Sequence, residues 1–313
     1  MKRAPGLDVV MAGVAVVDVI GKPVDLRRPP RAGGLQLLES ITLTTGGNVS
    51  NCGIDLARLG FRVGAITRAG NDTLGEFLRH QYARYGIDTT GVIVDRNRQT
   101  SATFVAVDLR GERTFLHTRG CLTRFRARDV LGHIGMINRA RFFAFGYLGL
   151  LPECEPELPR LFGTIKRRTG AKILLDTGGN PKRDPRLLQR LLPFVDIFLP
   201  SLDEARILTG ENTPGRIVRK LREWNASGVV GVKLGSQGCY IDHDGEAQLL
   251  PAKRVRRVVD ATGAGDAFVA GFLAATLRGY EPFAAARIAN AIAADCVSAV
   301  GASTAIKQLH QYL

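Results

Sequence analysis

The chain has 313 residues, 45% hydrophobic and 23% charged, a composition that fits a soluble globular protein with a large core and excludes a disordered or fibrous one. Five scattered cysteines (Cys52, Cys121, Cys154, Cys239 and Cys296) form no Cys-x-x-Cys pair, so neither a zinc site nor a disulfide framework is indicated, and a reducing cytoplasm is the expected location. The formal net charge of +14 comes without a recognisable nucleic-acid module, and its basic residues read as a solvated surface that attracts anionic nucleotides; no nucleic-acid partner is expected.

Met1-Lys2-Arg3 followed by the apolar run Val9–Val17 has the outline of a signal peptide, but Asp8 and Asp18 bracket the run and Pro5-Gly6 separates it from the basic start. The run predicts a buried parallel-sheet strand over 8–17, with Asp18 at its carboxyl end, the edge where open α/β sheets bind ligands. No segment offers ~18 uninterrupted apolar residues, so no membrane span is expected. Residues 20–34, rich in Pro, Gly and Arg, leave the sheet, and 38–45 returns as a strand. Gly46-Gly47-Asn48-Val49-Ser50-Asn51 is a glycine turn into a helix over 49–59, closed by Gly60. A strand over 62–68 precedes a helix capped by Asp72, with Glu76 in its first turn. A short strand at 92–94 comes next. Two β-rich runs, 100–108 and 112–118, flank Leu109-Arg110-Gly111 as a hairpin.

From Arg141 strands and helices alternate regularly. Strands are predicted over 142–147, 172–176, 195–199, 229–234 and 239–241, and helices over 156–168, 202–208 and 214–224. Repeated strand–helix units predict a mainly parallel sheet with helices on both faces. The β-type insertions, about 20–45 and 100–118, predict a small second sheet over it. No internal repeat or linker divides residues 1–313, which read as one domain.

The segment Val258–Phe268 is read as strand, glycine turn and helix. Gly263 and Gly265 let the backbone approach a ligand, and the helix start turns unpaired N–H groups toward it, a ready anion site. A dinucleotide fingerprint is excluded because Phe268 stands where a third glycine is needed. A Walker A loop is excluded because the only Gly-Lys pair, Gly21-Lys22, runs into Pro23. Asp266 has two readings at this point. It is a helix cap, or it is a carboxylate poised to take a proton from an attacking hydroxyl.

The two glycine turns together, Gly-Gly-Asn-Val-Ser-Asn at 46–51 and Asp-Ala-Thr-Gly-Ala-Gly-Asp-Ala-Phe at 260–268, resemble the signatures of the ribokinase-like carbohydrate kinases, the phosphofructokinase-B family. Between them Gly70-x-Asp72-x-x-Gly75, Pro200-x-x-x-Glu204-Ala205, Leu208-Thr209-Gly210 and Val232-Lys233-Leu234-Gly235-x-x-Gly238 occur in the family's order. The resemblance covers nearly the whole chain. It implies a three-layer α/β/α fold with a β-sheet lid that also mediates dimerisation, and an ATP-dependent kinase acting on a small-molecule sugar or nucleoside. It implies Asp266 as catalytic base, with Gly263, Ala264 and Gly265 as the anion hole. Asp18, Gly46, Gly47, Asn48 and Asn51 would hold substrate, and Lys233, Gly235, Ser236, Gly238 and Asn290 would line the nucleotide. Glu204 would place Mg²⁺ through water. Asp260 and Thr262 match a loop that binds a monovalent cation in some members, which adds K⁺ to ATP and Mg²⁺ as an expected cofactor. Ser201 stands where many members carry Asn, and Asp176-Thr177-Gly178-Gly179-Asn180 matches the sugar-kinase Asp-x-Asn only loosely, so the sugar's identity stays open. The alternatives carried with this reading are a nucleoside kinase and a non-catalytic regulator on the same fold.

Overall fold

Alternate residues of the first strand enter different cores, Val9 and Met11 on one side and Val10 and Ala12 on the other. The same division runs along a later strand, where Phe142 and Ala144 face one way and Phe143 and Phe145 the other. A strand apolar on both faces must be covered on both, which makes the central sheet the middle of three layers. The computed structural model describes residues 6–29, 31–178, 184–224, 226–299, 301 and 303–313.

The strands are β1 (Leu7–Gly13), β2 (Val16–Lys22), β3 (Ser40–Gly46), β4 (Val63–Gly70), β5 (Asp88–Asp95), β6 (Ala102–Val107), β7 (Arg113–Thr118), β8 (Ala140–Leu148), β9 (Lys172–Thr177), β10 (Ile197–Phe198), β11 (Val229–Lys233), β12 (Cys239–His243) and β13 (Glu246–Leu250). The helices are α1 (Asn48–Arg58), α2 (Thr73–Arg84), α3 (Ala127–Leu131), α4 (Ile134–Ile137), α5 (Leu158–Arg168), α6 (Pro185–Leu191), α7 (Leu202–Thr209), α8 (Pro214–Glu223), α9 (Ala264–Leu277) and α10 (Pro282–Cys296). Nine strands form the main sheet in the order β13-β12-β11-β10-β9-β8-β1-β4-β5, parallel from β11 to β5 and closed by the antiparallel β11-β12-β13 edge. The order β3-β2-β6-β7 makes the expected second sheet. No helix among the described residues is long and apolar enough to cross a membrane, and all five cysteines are buried free thiols.

Three sequence expectations change. The single strand predicted over 8–17 is two strands in different sheets. Gly13 (φ 130) lets the chain swing out of the main sheet, and the Asn48 side chain accepts a 3.1 Å hydrogen bond from the Val14 N–H at the crossing. Asp18 therefore lies inside a strand of the second sheet and not at the carboxyl end of β1. The strand read into Val255–Val259 is absent: the segment before α9 is irregular, and Val258 and Val259 are exposed. The β13 strand was not anticipated, although Asp244-Gly245, both with positive φ, is a strong hairpin-turn signal.

The Gly70-x-Asp72-x-x-Gly75 motif turns out to be a knot at the root of the second sheet. Asp72 caps α2 through the Gly75 N–H at 2.8 Å and also accepts from the Thr100 N–H at 2.7 Å and the Thr100 hydroxyl at 2.6 Å, just before β6. Burial alone would raise this carboxyl, but the hydrogen bonds from Thr100 and Gly75 outweigh it and hold it below 3.8. A carboxyl depressed by folding stabilises the protein above its unfolded pKa and loses that contribution as pH falls through the native value. Asp72→Ala is expected to lower stability by about 1–3 kcal/mol at neutral pH. Urea titrations should show the gap between wild type and variant closing as pH falls below the ordinary carboxylate range; a gap independent of pH would contradict the assignment.

Candidate active site

α9 is apolar nearly all round, with eleven of its fourteen residues buried, and such a helix has to sit inside the fold. It packs against α10 and α1. Its N-cap, Gly263, has φ 77, a left-handed conformation that a residue without Cβ adopts at no steric cost. Ala264 N–H makes only a long 3.4 Å bond to Ala261, and Gly265 is exposed at the helix start. The first-turn N–H groups therefore face outward at the positive end of a buried helix.

Asp266 lies just inside that end and is 5% exposed. Two donors converge on its Oδ2: the Asn51 Nδ2–H at 2.8 Å, from the first turn of α1, and the Tyr147 O–H at 2.8 Å, from the end of β8. No hydrogen bond among the described residues falls on Oδ1. Burial raises the Asp266 carboxyl above its usual range, while Asn51, Tyr147 and the charge of Lys233 pull it back.

Lys233 ends β11 with its Nζ 3.1 Å from Asp176 Oδ1 and 3.6 Å from where a Cβ on Gly265 would lie. Burial pushes Asp176 up to about 6 in spite of this lysine. Burial also disfavours the ammonium, but Asp176, Glu204 and Asp266 overcome that and keep Lys233 charged. Glu204 accepts from the Thr177 hydroxyl and from the Ser201 N–H at the start of α7, so it shapes the helix start while facing the same cluster. Among the described residues no cluster of three or more His, Cys, Asp or Glu side chains forms a ready-made metal cage.

The expected substrate residues divide. Asp18 and Gly46 meet: a Cβ on Gly46 would collide with the Asp18 carboxylate. Burial raises Asp18, opposed by the Thr103 hydroxyl and the charge of Arg113. Gly47 (φ 83) caps α1 where a Cβ would strike the Val14 carbonyl. The Asn48 amide accepts from the Val14 N–H and donates, at 3.4 Å, to the Ala12 carbonyl. Asn51 is turned to Asp266 instead of standing open to a ligand. On the nucleotide side, Gly235 and Ser236 form an exposed turn, and Gly238 (φ 98) sits where a side chain would hit the 250–252 backbone. The Asn290 amide donates to the Leu250 and Pro251 carbonyls at 3.2 and 3.1 Å and braces α10 against that segment. Gly179 and Asn180, the end of the loose sugar-kinase match, lie outside the described residues.

Tyr147 is the residue that sequence reasoning missed. Among the described residues it is one of two non-glycine residues with positive φ, at 61°, a conformation that costs on the order of 1–3 kcal/mol and must be held by its surroundings. Its side chain lies against Gly178, where an added Cβ would come within 2.8 Å of the Tyr147 Cβ and 2.9 Å of the first ring carbon. Burial and then Asp266 raise its phenol well above the usual value, so it stays a donor. The glycines at 146, 149 and 178 were the only sequence signal of a close approach here.

A family model described as pfkB family carbohydrate kinase matches residues 7–309. The chain belongs to the pfkB family of carbohydrate kinases. It is 29% identical over 284 residues to a 2-dehydro-3-deoxygluconokinase of Bacillus subtilis, covering 86% of this chain and 85% of that protein. It is 31% identical over 285 residues to an aminoimidazole riboside kinase of Salmonella typhimurium, covering 86% and 87%. The structure of Arabidopsis thaliana ribokinase complexed with ribose and ATP superimposes with a TM-score of 0.85 at 23% identity over 98% and 97% of the two chains, which shows a shared fold. As a member of this family the chain is an ATP-dependent carbohydrate kinase.

Tyr147→Phe keeps the ring and removes one donor to Asp266 Oδ2. A lost hydrogen bond to a charged group raises the carboxyl further. The acid limb of the kcat/KM profile of this kinase should move up while activity above the limb is largely retained. An unmoved limb would separate Tyr147 from the titrating group.

Proposed function

We propose that this kinase transfers the γ-phosphoryl group of ATP to a hydroxyl of an unphosphorylated sugar, a pentose or hexose, with Asp266 as general base. The observation that carries this reading is the asymmetry of the Asp266 carboxylate, whose Oδ2 is held by Asn51 and Tyr147 while no hydrogen bond among the described residues falls on Oδ1. A base needs one oxygen fixed and the other available to the proton it abstracts. The acceptor hydroxyl gives its proton to Oδ1 as its oxygen attacks the γ-phosphorus, and the bond from that phosphorus to the β,γ-bridging oxygen breaks to release ADP. The charge on the transferred group faces the first-turn N–H groups of α9, and Lys233 adds a positive charge beside Gly265. Asp18 supports the sugar as a hydrogen-bond acceptor from the second sheet.

Mg²⁺ is held chiefly by substrate phosphates in such reactions, keeps several waters, and neutralises developing charge. Glu204 and Asp176 fit an outer role: they face the site, and with Asp266 they give three carboxylates against the single ammonium of Lys233. A nucleoside acceptor is the second reading, favoured by the aminoimidazole riboside kinase among the relatives.

The second sheet supports a homodimer through an apolar face. Register aligns Leu43, Val19, Phe104 and Leu116 in one row across its four strands, with Ile41 on the same face. Leu43, Leu116 and Ile41 are exposed, and an open apolar sheet with free edges calls for a cover. Light scattering of the purified protein should give twice the chain mass; a fully active monomer would contradict this.

Asp266→Asn is nearly isosteric, but it cannot accept the proton. Its kcat on the best acceptor from a panel of free sugars, sugar acids, nucleosides and sugar phosphates should fall by on the order of 10²–10⁴, with ATP affinity little changed. A folded variant keeping more than about a tenth of wild-type kcat would overturn the base assignment. A sugar phosphate as best acceptor would overturn the substrate assignment.

A further inference from the structure

The resemblance of the 260–262 loop to a monovalent-cation site can be tested against the groups that surround it. Asp260 is the charged member of the set, and its side chain is 4% exposed. Its Oδ1 accepts from the Thr262 N–H at 2.8 Å. Its Oδ2 accepts from the Gly301 N–H at 3.0 Å and lies 2.7 Å from a guanidinium nitrogen of Arg113. Both oxygens are thus occupied by donors, and a full positive charge already sits against the carboxylate. A guanidinium cannot lose its proton in a protein, so a K⁺ ion at the same oxygens would meet a fixed like charge. The residues present do not fit a monovalent cation.

Arg113 is not a local neighbour of this loop. It opens β7, paired with Val107 across the tip hairpin of the second sheet, and its side chain is 22% exposed. Its charge acts on Asp18 in β2 as well as on Asp260. One guanidinium thus reaches from the sugar-facing sheet to the loop that leads directly into the α9 N-terminus.

We propose that Arg113 takes the place of the monovalent cation, so that this kinase works without K⁺ and receives the positive charge that shapes its 260–263 loop from the second sheet. The inference rests on the phosphoryl-transfer reading of the α9 N-terminus for its activity arm only. Its other arm, thermal stability, reads the cation site directly and stands whether or not Asp266 is the base.

The test compares the wild-type protein, Arg113→Ala and Arg113→Lys in potassium chloride and in choline chloride at equal ionic strength, by kcat and by melting temperature. Wild type should give the same kcat, within about twofold, and the same melting temperature in both salts, because the guanidinium is a fixed charge. Arg113→Ala should lose at least about tenfold in kcat in choline, the lower side of what removal of an electrostatic group costs. Potassium should restore most of that loss and raise the melting temperature of this variant alone. Arg113→Lys, which keeps the charge, should remain closer to wild type in choline than the alanine variant does. Potassium activation or stabilisation of the wild type would overturn the proposal. So would an alanine variant unaffected in choline, or one whose loss potassium does not restore.

Discussion

A carboxylate buried at 5% exposure is held by two hydrogen bonds and a nearby positive charge from other parts of the chain. Asp266 takes hydrogen bonds from Asn51, 215 residues earlier, and Tyr147, 119 residues earlier, and feels the charge of Lys233. Burying a carboxylate without such partners is costly enough to neutralise it. The helix N-terminus adds its own stabilisation of negative charge. Much of the architecture can be understood as what brings these partners together: α1 and α9 packed side by side, β8 in the centre of the sheet, and β11 ending where its lysine reaches back to Gly265.

The same logic explains why the first apolar segment breaks in two. β1 lies between β8 and β4 in the main sheet, and β2 leaves its plane to carry Asp18 into the second sheet. Asn48 stitches the crossing by bonding Val14 and Ala12, which is a better account of its burial than a sugar contact. Asp72 does a similar job at the second crossing, joining α2 to Thr100 and so fixing the root of β6. The second sheet returns to the main body at its far end through Arg113 and Asp260.

Much of this was legible in the sequence wherever backbone conformation forces a residue type. Gly47 and the Gly70–Gly75 pair mark close approaches that a Cβ would block, and Gly263 marks a left-handed turn, the one that leads directly to Asp266. The regular strand–helix alternation after Arg141 carried the layer order. What could not be read depended on long-range partners. An apolar run over 8–17 looks the same whether it fills one buried strand or two, since both halves are covered. Val255, Val258 and Val259 have β-branched side chains, but propensity without a neighbouring strand to pair with does not make a strand. Tyr147 gave no sign of its role, because a tyrosine after a strand is ordinary and only its left-handed backbone and the glycine opposite make it a donor to Asp266. Asn51 and Asn290 carry substrate and nucleotide roles by resemblance; in the fold their amides bond Asp266 and the Leu250 and Pro251 carbonyls, long-range partners that no local pattern shows.

The most direct measurement is a structure of the protein with its best acceptor and a non-hydrolysable ATP analogue. The account predicts the acceptor hydroxyl within about 2.6–3.2 Å of Asp266 Oδ1, with Asn51 and Tyr147 still on Oδ2 and the terminal phosphate against the first-turn N–H groups of α9. An acceptor hydroxyl directed away from Asp266, or a terminal phosphate bound away from the α9 N-terminus, would contradict it.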